Sequence, residues 1–291
     1  MPEWPLVGRG EEFQQLVGWV ASRRRGVVLA GPPGVGKTRL AVELLNHTAS
    51  QGFVPLRVAA TEITSRVPLG AFAVLIPELS RGIDRLEMLQ EVARGIAEAG
   101  QGQPVALLVD DAHLLDETSA ALTAQLVATE KAFLIATVRS GTAVPAPVLS
   151  LWKDGLAERV ELDALDETQV EELLKIVLQG PLDAATRSLL YQRSEGNVLY
   201  LHELVLAALE SGVLHKDEGL WKIRGRLPAS ARLVELVETR LSVLHDADRQ
   251  ALELLTVGEP LGIELFERQV GADVLANLER HQLVTVDQAG R

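Results

Sequence analysis

The stretch Gly31-Pro32-Pro33-Gly34-Val35-Gly36-Lys37-Thr38 limits what this chain can fold into more than any other feature. It follows a short continuous apolar run, Gly26-Val27-Val28-Leu29-Ala30, and precedes an amphipathic pattern from Thr38 to about His47. A continuous apolar run is what a strand buried on both faces shows. A glycine-rich turn between such a strand and a helix suits a parallel sheet layered with helices. The glycines let the backbone turn so that its N–H groups converge, and the helix start adds its positive dipole end. The pattern G-x-x-x-x-G-K-[ST] builds a phosphate cradle in this way. Lys37 then sets a cation against β- and γ-phosphates, and the Thr38 hydroxyl ligates magnesium. The expected ligand is a nucleoside triphosphate with magnesium.

The rest of the first half keeps the same rhythm. Glu11 to Ala21 reads as a helix with Phe13, Leu16, Val17 and Val20 on one face. Pro55 to Ala60, Val105 to Val109 and Ala132 to Val138 read as strands, and Asp84 to Glu98 and Ala120 to Ala128 as helices. Strands alternating with helices predict an α/β fold with a parallel sheet covered on both faces, over residues 1–162. Beyond Leu162 the texture turns helical: Thr168 to Leu178, Asp183 to Arg193 and Val198 to Glu210. A small hairpin around Asp217-Glu218-Gly219 closes this second unit, residues 163–228. Residues 229–291 read as helices over Ala231–Leu244, Asp246–Val257, Ile263–Val270 and Ala272–His281, then a strand over Leu283–Val286. The last six residues look like one strand and turn of an unfinished hairpin, so the chain is expected to be part of a longer protein.

Two further segments carry chemistry. Val105-Ala106-Leu107-Leu108-Val109 ends in Asp110-Asp111. A phosphate loop needs such a partner, because magnesium takes a carboxylate into its coordination sphere. That role falls to Asp110, and Asp111 is placed to orient or deprotonate an attacking water. Asp116 reads equally well as a functional acid or as the N-cap of the helix that follows. Phe133-Leu134-Ile135-Ala136-Thr137-Val138 ends in Arg139, which could reach a γ-phosphate, with Thr137 the lesser candidate; pairing of Arg139 with a surface acid is the even alternative.

Composition removes other classes. The net charge is −12, which disfavours direct contact with a DNA backbone. Aromatic residues make up 4%, too few for a base-stacking surface. The cluster Arg23-Arg24-Arg25 reads most simply as a solvated helix end. The chain has no cysteine, hence no disulfide or thiolate metal site, which fits a reducing cytoplasm. No apolar run reaches the roughly 18 residues of a membrane span, and the start Met1-Pro2-Glu3-Trp4 lacks a signal-peptide pattern. The six histidines show no ligand spacing, His113 reads as structural, and nothing reads G-x-S-x-G.

Together these motifs resemble the STAND-class NTPases, the signal-transduction branch near AAA+. Leu6-Val7-Gly8-Arg9-Gly10-Glu11-Glu12 looks like their "VGRE" opening, and Asp110-Asp111-Ala112-His113-Leu114-Leu115-Asp116 like their extended acidic motif. Gly196-Asn197-Val198-Leu199-Tyr200-Leu201-His202-Glu203-Leu204 resembles their lid motif, and Val67-Pro68-Leu69-Gly70-Ala71-Phe72-Ala73 shares the flavour of large LuxR-type transcriptional regulators with an N-terminal ATPase. The resemblance implies a P-loop nucleotide-binding domain, a helical lid and a winged-helix-like domain, in that order. It implies ATP and ADP as ligands with Mg2+, a closed ADP state, and an open, self-associating state reached with ATP and an inducer or protein partner. DNA contact would come only from a C-terminal region absent here. Val7, Gly8, Arg9, Gly31, Pro32, Pro33, Gly34, Val35, Gly36, Lys37, Thr38, Arg39, Val198 and Leu199 would contact nucleotide. Val198 replaces the usual lid proline, which removes a fixed backbone turn. Neither His245 nor His281 makes a convincing ADP-contacting motif.

Three functions fit. The first is a regulatory ATPase that hydrolyses slowly and switches conformation. The second is a scaffold that nucleotide stabilises without turnover. The third is an AAA+ remodelling motor, for which Arg81, Arg85 and Arg94 are arginine-finger candidates by position alone.

Overall fold

The computed structural model describes residues 4–75, 85–228, 231–242, 244–258, 261–280, 283–284 and 286. The chain opens with α1 (Gly10–Ala21), β1 (Gly26–Gly31), α2 (Lys37–Ser50) and β2 (Val54–Ala59). α3 (Arg85–Ala99), β3 (Val105–Asp110), α4 (Glu117–Ala128), β4 (Phe133–Arg139), α5 (Ala146–Lys153) and β5 (Glu158–Glu161) follow. All five strands are parallel, in the order β2-β3-β4-β1-β5. β4 therefore lies between the strand that feeds the phosphate loop and the strand that ends in the acids.

Strand alternation splits the core into two layers. Val27 and Leu29 of β1, Ala106 and Leu108 of β3, and Ile135 of β4 pack with Leu16, Leu40 and Leu44 from α1 and α2. Val28, Ala30, Leu107, Val109, Ala136 and Val138 point the other way, toward Val92, Ile96, Leu122, Leu126 and Leu151 of α3, α4 and α5. Every residue of β1 and β3 is buried, as helices on both faces require.

The second unit holds α6 (Glu167–Leu178), α7 (Ala184–Ser194), α8 (Val198–Glu210) and the antiparallel hairpin β6 (Leu214–Asp217) and β7 (Leu220–Ile223). Its helix starts are written in the sequence: Asp166 and Gln169 form a reciprocal capping box, Asp183 caps α7, and Asn197 caps α8. The hairpin turns at Glu218 and Gly219, both with positive φ, as a two-residue I′ turn demands. Trp221 fastens it, donating its indole N–H to the Leu178 carbonyl at 2.8 Å. The core of this unit also takes in Trp4 and Val7 from the chain start.

α9 (Ala231–Ser242), α10 (Asp246–Gly258), α11 (Ile263–Val270) and α12 (Ala272–Arg280) complete the described structure around Leu244, Ala251, Phe266, Leu275 and Leu278. Leu283, Val284 and Val286 are not in a strand, contrary to expectation. Leu283 instead donates its amide to the Leu278 carbonyl at 3.0 Å, and Leu283 and Val284 pack onto this helical core. Thr285 and residues 287–291, the expected hairpin turn, lie outside the described residues, as do Asp84 and His281.

Two elements have no counterpart in the sequence reading. β5 reads Glu158-Arg159-Val160-Glu161 and forms the sheet edge, where charged side chains blunt pairing with other chains. α5 has Pro145 at its N-cap and Pro147 in its first turn, where proline, which breaks a helix interior, is tolerated. No described helix is long and apolar enough to cross a membrane.

Candidate functional site at the phosphate loop

The loop after β1 depends on glycines. Gly34 and Gly36 have φ of 84° and 99°, in the left-handed region that L side chains avoid. A Cβ on Gly34 would stand 2.4 Å from the Asn197 side-chain oxygen, so the N-cap of α8 approaches the bare loop backbone. α2 starts with no side-chain cap, which leaves its first amides open toward the loop. The buried Lys37 ammonium donates to the carbonyls of Gly31 at 2.9 Å and Pro32 at 2.7 Å. Burial pushes its pKa below the usual lysine value, with the Asp111 charge opposing.

Asp110 ends β3 beside this loop, and Asp111 follows it. The Thr38 hydroxyl donates to Asp110 Oδ1 at 2.8 Å, and the Thr137 hydroxyl donates to the same oxygen at 2.7 Å. Arg57 pairs with Asp110 Oδ2 at 3.2 Å. Thr137, fully buried, also accepts the Asp111 amide at 2.8 Å. The lesser candidate of β4 thus holds both acids in place rather than facing solvent. Thr38 and Asp110 bring a hydroxyl and a carboxylate oxygen together, a donor set that fits magnesium. Among the described residues no cluster of three or more His, Asp or Glu offers a rival metal site.

Asp111 sits at φ 54° with its side chain half exposed. Burial, and then the Asp110 charge, raise its carboxyl above the usual range, while Lys37 and Arg139 pull it down. Arg139 ends β4, and its charge reaches Lys37, Asp111 and His113. No ion pair to a surface acid holds Arg139 among the described residues. Asp116 is an N-cap, accepting the amides of Thr118 at 2.9 Å and Ser119 at 3.0 Å, and it also accepts the Leu69 amide at 3.3 Å. Arg24 and Arg25 pair with Glu158 and Glu130 at the far end of the sheet, as a solvated helix end would.

The start of α8 and the chain start both contact the loop. Asn197 donates its side-chain N–H to the Pro33 carbonyl at 2.8 Å, and the Leu199 amide donates to the Gly34 carbonyl at 3.1 Å. The buried Arg9 guanidinium donates to the Val35 carbonyl at 3.2 Å and to the Asp163 carbonyl, and pairs with Glu12 at 3.0 Å. A cavity of about 320 Å3 lies between these parts, lined by Val7, Arg9, Val35, Gly36, Arg39 and Val198. Those are expected nucleotide contacts. Gly8 and Leu199 do not line it: the Gly8 carbonyl accepts from Gln169 at 2.9 Å, and Leu199 meets the loop through its backbone. Trp4 and His202 do line it, with rings 5.0 Å apart and edge to face, and sequence reasoning missed both. The only sequence signal for His202 was its place in the segment after Gly196. Of the arginine-finger candidates, Arg94 faces Glu98 at 3.8 Å, and Arg81 and the Arg85 side chain lie outside the described residues.

Comparison with known proteins places this geometry. Residues 5–94 match the family described as an AAA ATPase domain. No curated protein matches the chain. The Aeropyrum pernix ORC1 protein, solved in complex with DNA, is similar in structure: TM-score 0.59, 16% identity, over 97% of this chain and 86% of that one. RuvB of Thermotoga maritima is similar with TM-score 0.51 and 17% identity, over 94% of this chain and 85% of that one. A STAND protein with a tetratricopeptide repeat sensor from Pyrococcus horikoshii aligns with TM-score 0.47 and 18% identity, over 95% of this chain but 39% of that one. The chain therefore has the P-loop NTPase fold, and its residues 5–94 carry the match to an AAA ATPase domain.

Proposed function

We propose that this chain is a nucleotide-operated switch: it binds ATP and ADP, hydrolyses ATP slowly with magnesium, and couples the nucleotide state to the posture of its lid. The observation that carries this reading is the grip of the lid on the phosphate loop, from Asn197 to the Pro33 carbonyl and from Leu199 to the Gly34 carbonyl. A ligand in that loop alters the backbone to which the lid is bonded.

In this reading the loop amides from Gly31 to Thr38 cradle the phosphates, and Lys37 swings from its own loop carbonyls to the β- and γ-phosphates. Thr38 and Asp110 would hold magnesium, which when bound supplies positive charge against the β- and γ-oxygens. Asp111 takes the proton of the attacking water as its oxygen bonds to the γ-phosphorus, and the bond to the β–γ bridging oxygen breaks. Arg139, free of a competing acid among the described residues, balances charge on the transferred group. The purine occupies the cavity under Val7, Val198 and Trp4. In this reading the module would belong to a larger LuxR-type regulator, as its sequence resemblance to STAND proteins implies, with a winged-helix-like third unit, an inducer, self-association in the ATP state and a cytoplasmic setting.

Lys37→Ala tests the reading directly. ATP affinity should fall at least about a hundredfold in a titration, because the cation against the β- and γ-phosphates is lost, and ADP affinity should fall less because only the β-phosphate contact goes. Unchanged affinity would sink it. Wild-type protein that holds nucleotide tightly yet releases no phosphate would instead support the scaffold alternative.

A further inference from the structure

His113 stands on the short 3-10 turn Ala112–Leu114 that follows the two acids. Its side chain is 10% exposed. Its Nδ1 is buried and has no hydrogen-bond partner among the described residues, while Asp111 Oδ1 lies 4.0 Å away. Buried polar atoms are almost always satisfied, so an orphan at a reacting site is informative. Besides the Asp111 carboxylate, the charges of Arg139 and Lys37, both cations, reach the ring. Burial first, and then those two charges, push the imidazole pKa down to about 4, so the ring is neutral near pH 7.

A neutral imidazole has one N–H to give. Asp111 has its backbone pinned by the bond from its amide to Thr137, but its carboxylate is half exposed and makes no hydrogen bond among the described residues. Rotation of that carboxylate by about 1 Å would bring Oδ1 within reach of His113 Nδ1. Resting on the ATPase reading above, we propose that His113 is a positioning residue for Asp111: the Nδ1 tautomer donates to Oδ1 and leaves the second oxygen aimed at the water. A neutral donor suits this task. It orients the carboxylate without adding a third cation, which would weaken Asp111 as a base.

The test is a comparison of variants in the full chain, scored by kcat, KM and a double-mutant cycle. His113→Ala should lower kcat for phosphate release about tenfold with KM within about twofold, as expected for lost orientation rather than lost binding. His113→Asn places its amide N–H near the Nδ1 position and should recover most of the rate, whereas His113→Gln, which reaches toward the other ring nitrogen, should not. In an Asp111→Gly background, chosen because glycine tolerates the positive φ, His113→Ala should cost nothing further. Equal losses in both backgrounds, or equal rates for the Asn and Gln variants, would overturn the proposal. If the wild type releases no phosphate, the ATPase reading fails by itself, and nitrogen NMR of His113 in the presence of ATPγS and magnesium decides the contact. A protonated Nδ1 in the wild type that changes to protonated Nε2 in Asp111→Gly supports the pairing. The same tautomer in both refutes it.

Discussion

Asn197 offers the sharpest separation of a helix cap from a lid latch. Its side-chain oxygen accepts the amides of Leu199 at 3.1 Å and Tyr200 at 3.3 Å, while its amide nitrogen donates to the Pro33 carbonyl at 2.8 Å. Replacement of an N-cap by alanine costs about 1 kcal/mol. Loss of one partly buried neutral hydrogen bond costs about 1 kcal/mol more. Asn197→Ala should therefore destabilise the docked first turn of α8 by about 2 kcal/mol, roughly a thirtyfold rise in its opening equilibrium. Asn197→Asp keeps the cap acceptor but loses the donor, and it turns a carboxylate toward the Pro33 carbonyl. It should cost about 1 kcal/mol or somewhat more, nearly all of it from the latch. Hydrogen exchange of the α8 amides, measured without ligand and with ADP, reads both effects. Asn197→Asp with wild-type protection in both states would show that the bond to the loop contributes nothing, and the coupling argument would fall with it.

Arg139→Ala should leave ATP affinity within a few-fold of the wild type and lower phosphate release about a hundredfold, as removal of a charge-stabilising donor does; equal loss of binding and rate would make Arg139 a binding residue only. Gly196→Ala should abolish or severely destabilise the folded lid, because φ is +72° and the new Cβ would meet the Leu165 carbonyl oxygen at 1.8 Å; a thermal midpoint within a few degrees of the wild type would contradict this. Asp183 has a pKa lowered below 3.8, first by its hydrogen bonds to Thr186. Its contribution is therefore fully present above about pH 4 and lost as pH falls through the lowered folded value. Asp183→Asn keeps a cap but cannot titrate, so its urea midpoint should fall less between pH 4 and pH 2 than that of the wild type; parallel curves would refute the assignment.

What the sequence disclosed, and what it hid, follows from the range of the interactions involved. The β1, loop and α2 unit was legible because its signals are local: an apolar run, glycines where φ must be positive, and an amphipathic stretch. The helices starting near Asp183 and at Val198 were legible for the same reason, whereas the cap by Asn197 came from the structure. β5 was not, because three of its four edge residues are charged and Val160 alone carries no run of hydrophobicity. The role of Thr137 was hidden because strand order, not spacing, puts β4 between β1 and β3. Nothing local marks His113 as buried against two cations, or Trp4 and His202 as neighbours.

Trp4, Val35, Leu165 and His202 wall a single cavity, although they are spread over two thirds of the chain. Such a chamber has no local part that could form alone. Its closure draws the chain start, the head of α2 and two lid helices together at one cost in chain freedom. Any compound that fills it contributes its affinity to the assembled arrangement alone. The fraction of molecules with the lid seated then becomes a function of ligand concentration, and a modest preference of about 3 kcal/mol moves that fraction from one in ten to well above nine in ten. In the proposed switch, the distance along the chain between the cavity walls would make the lid responsive.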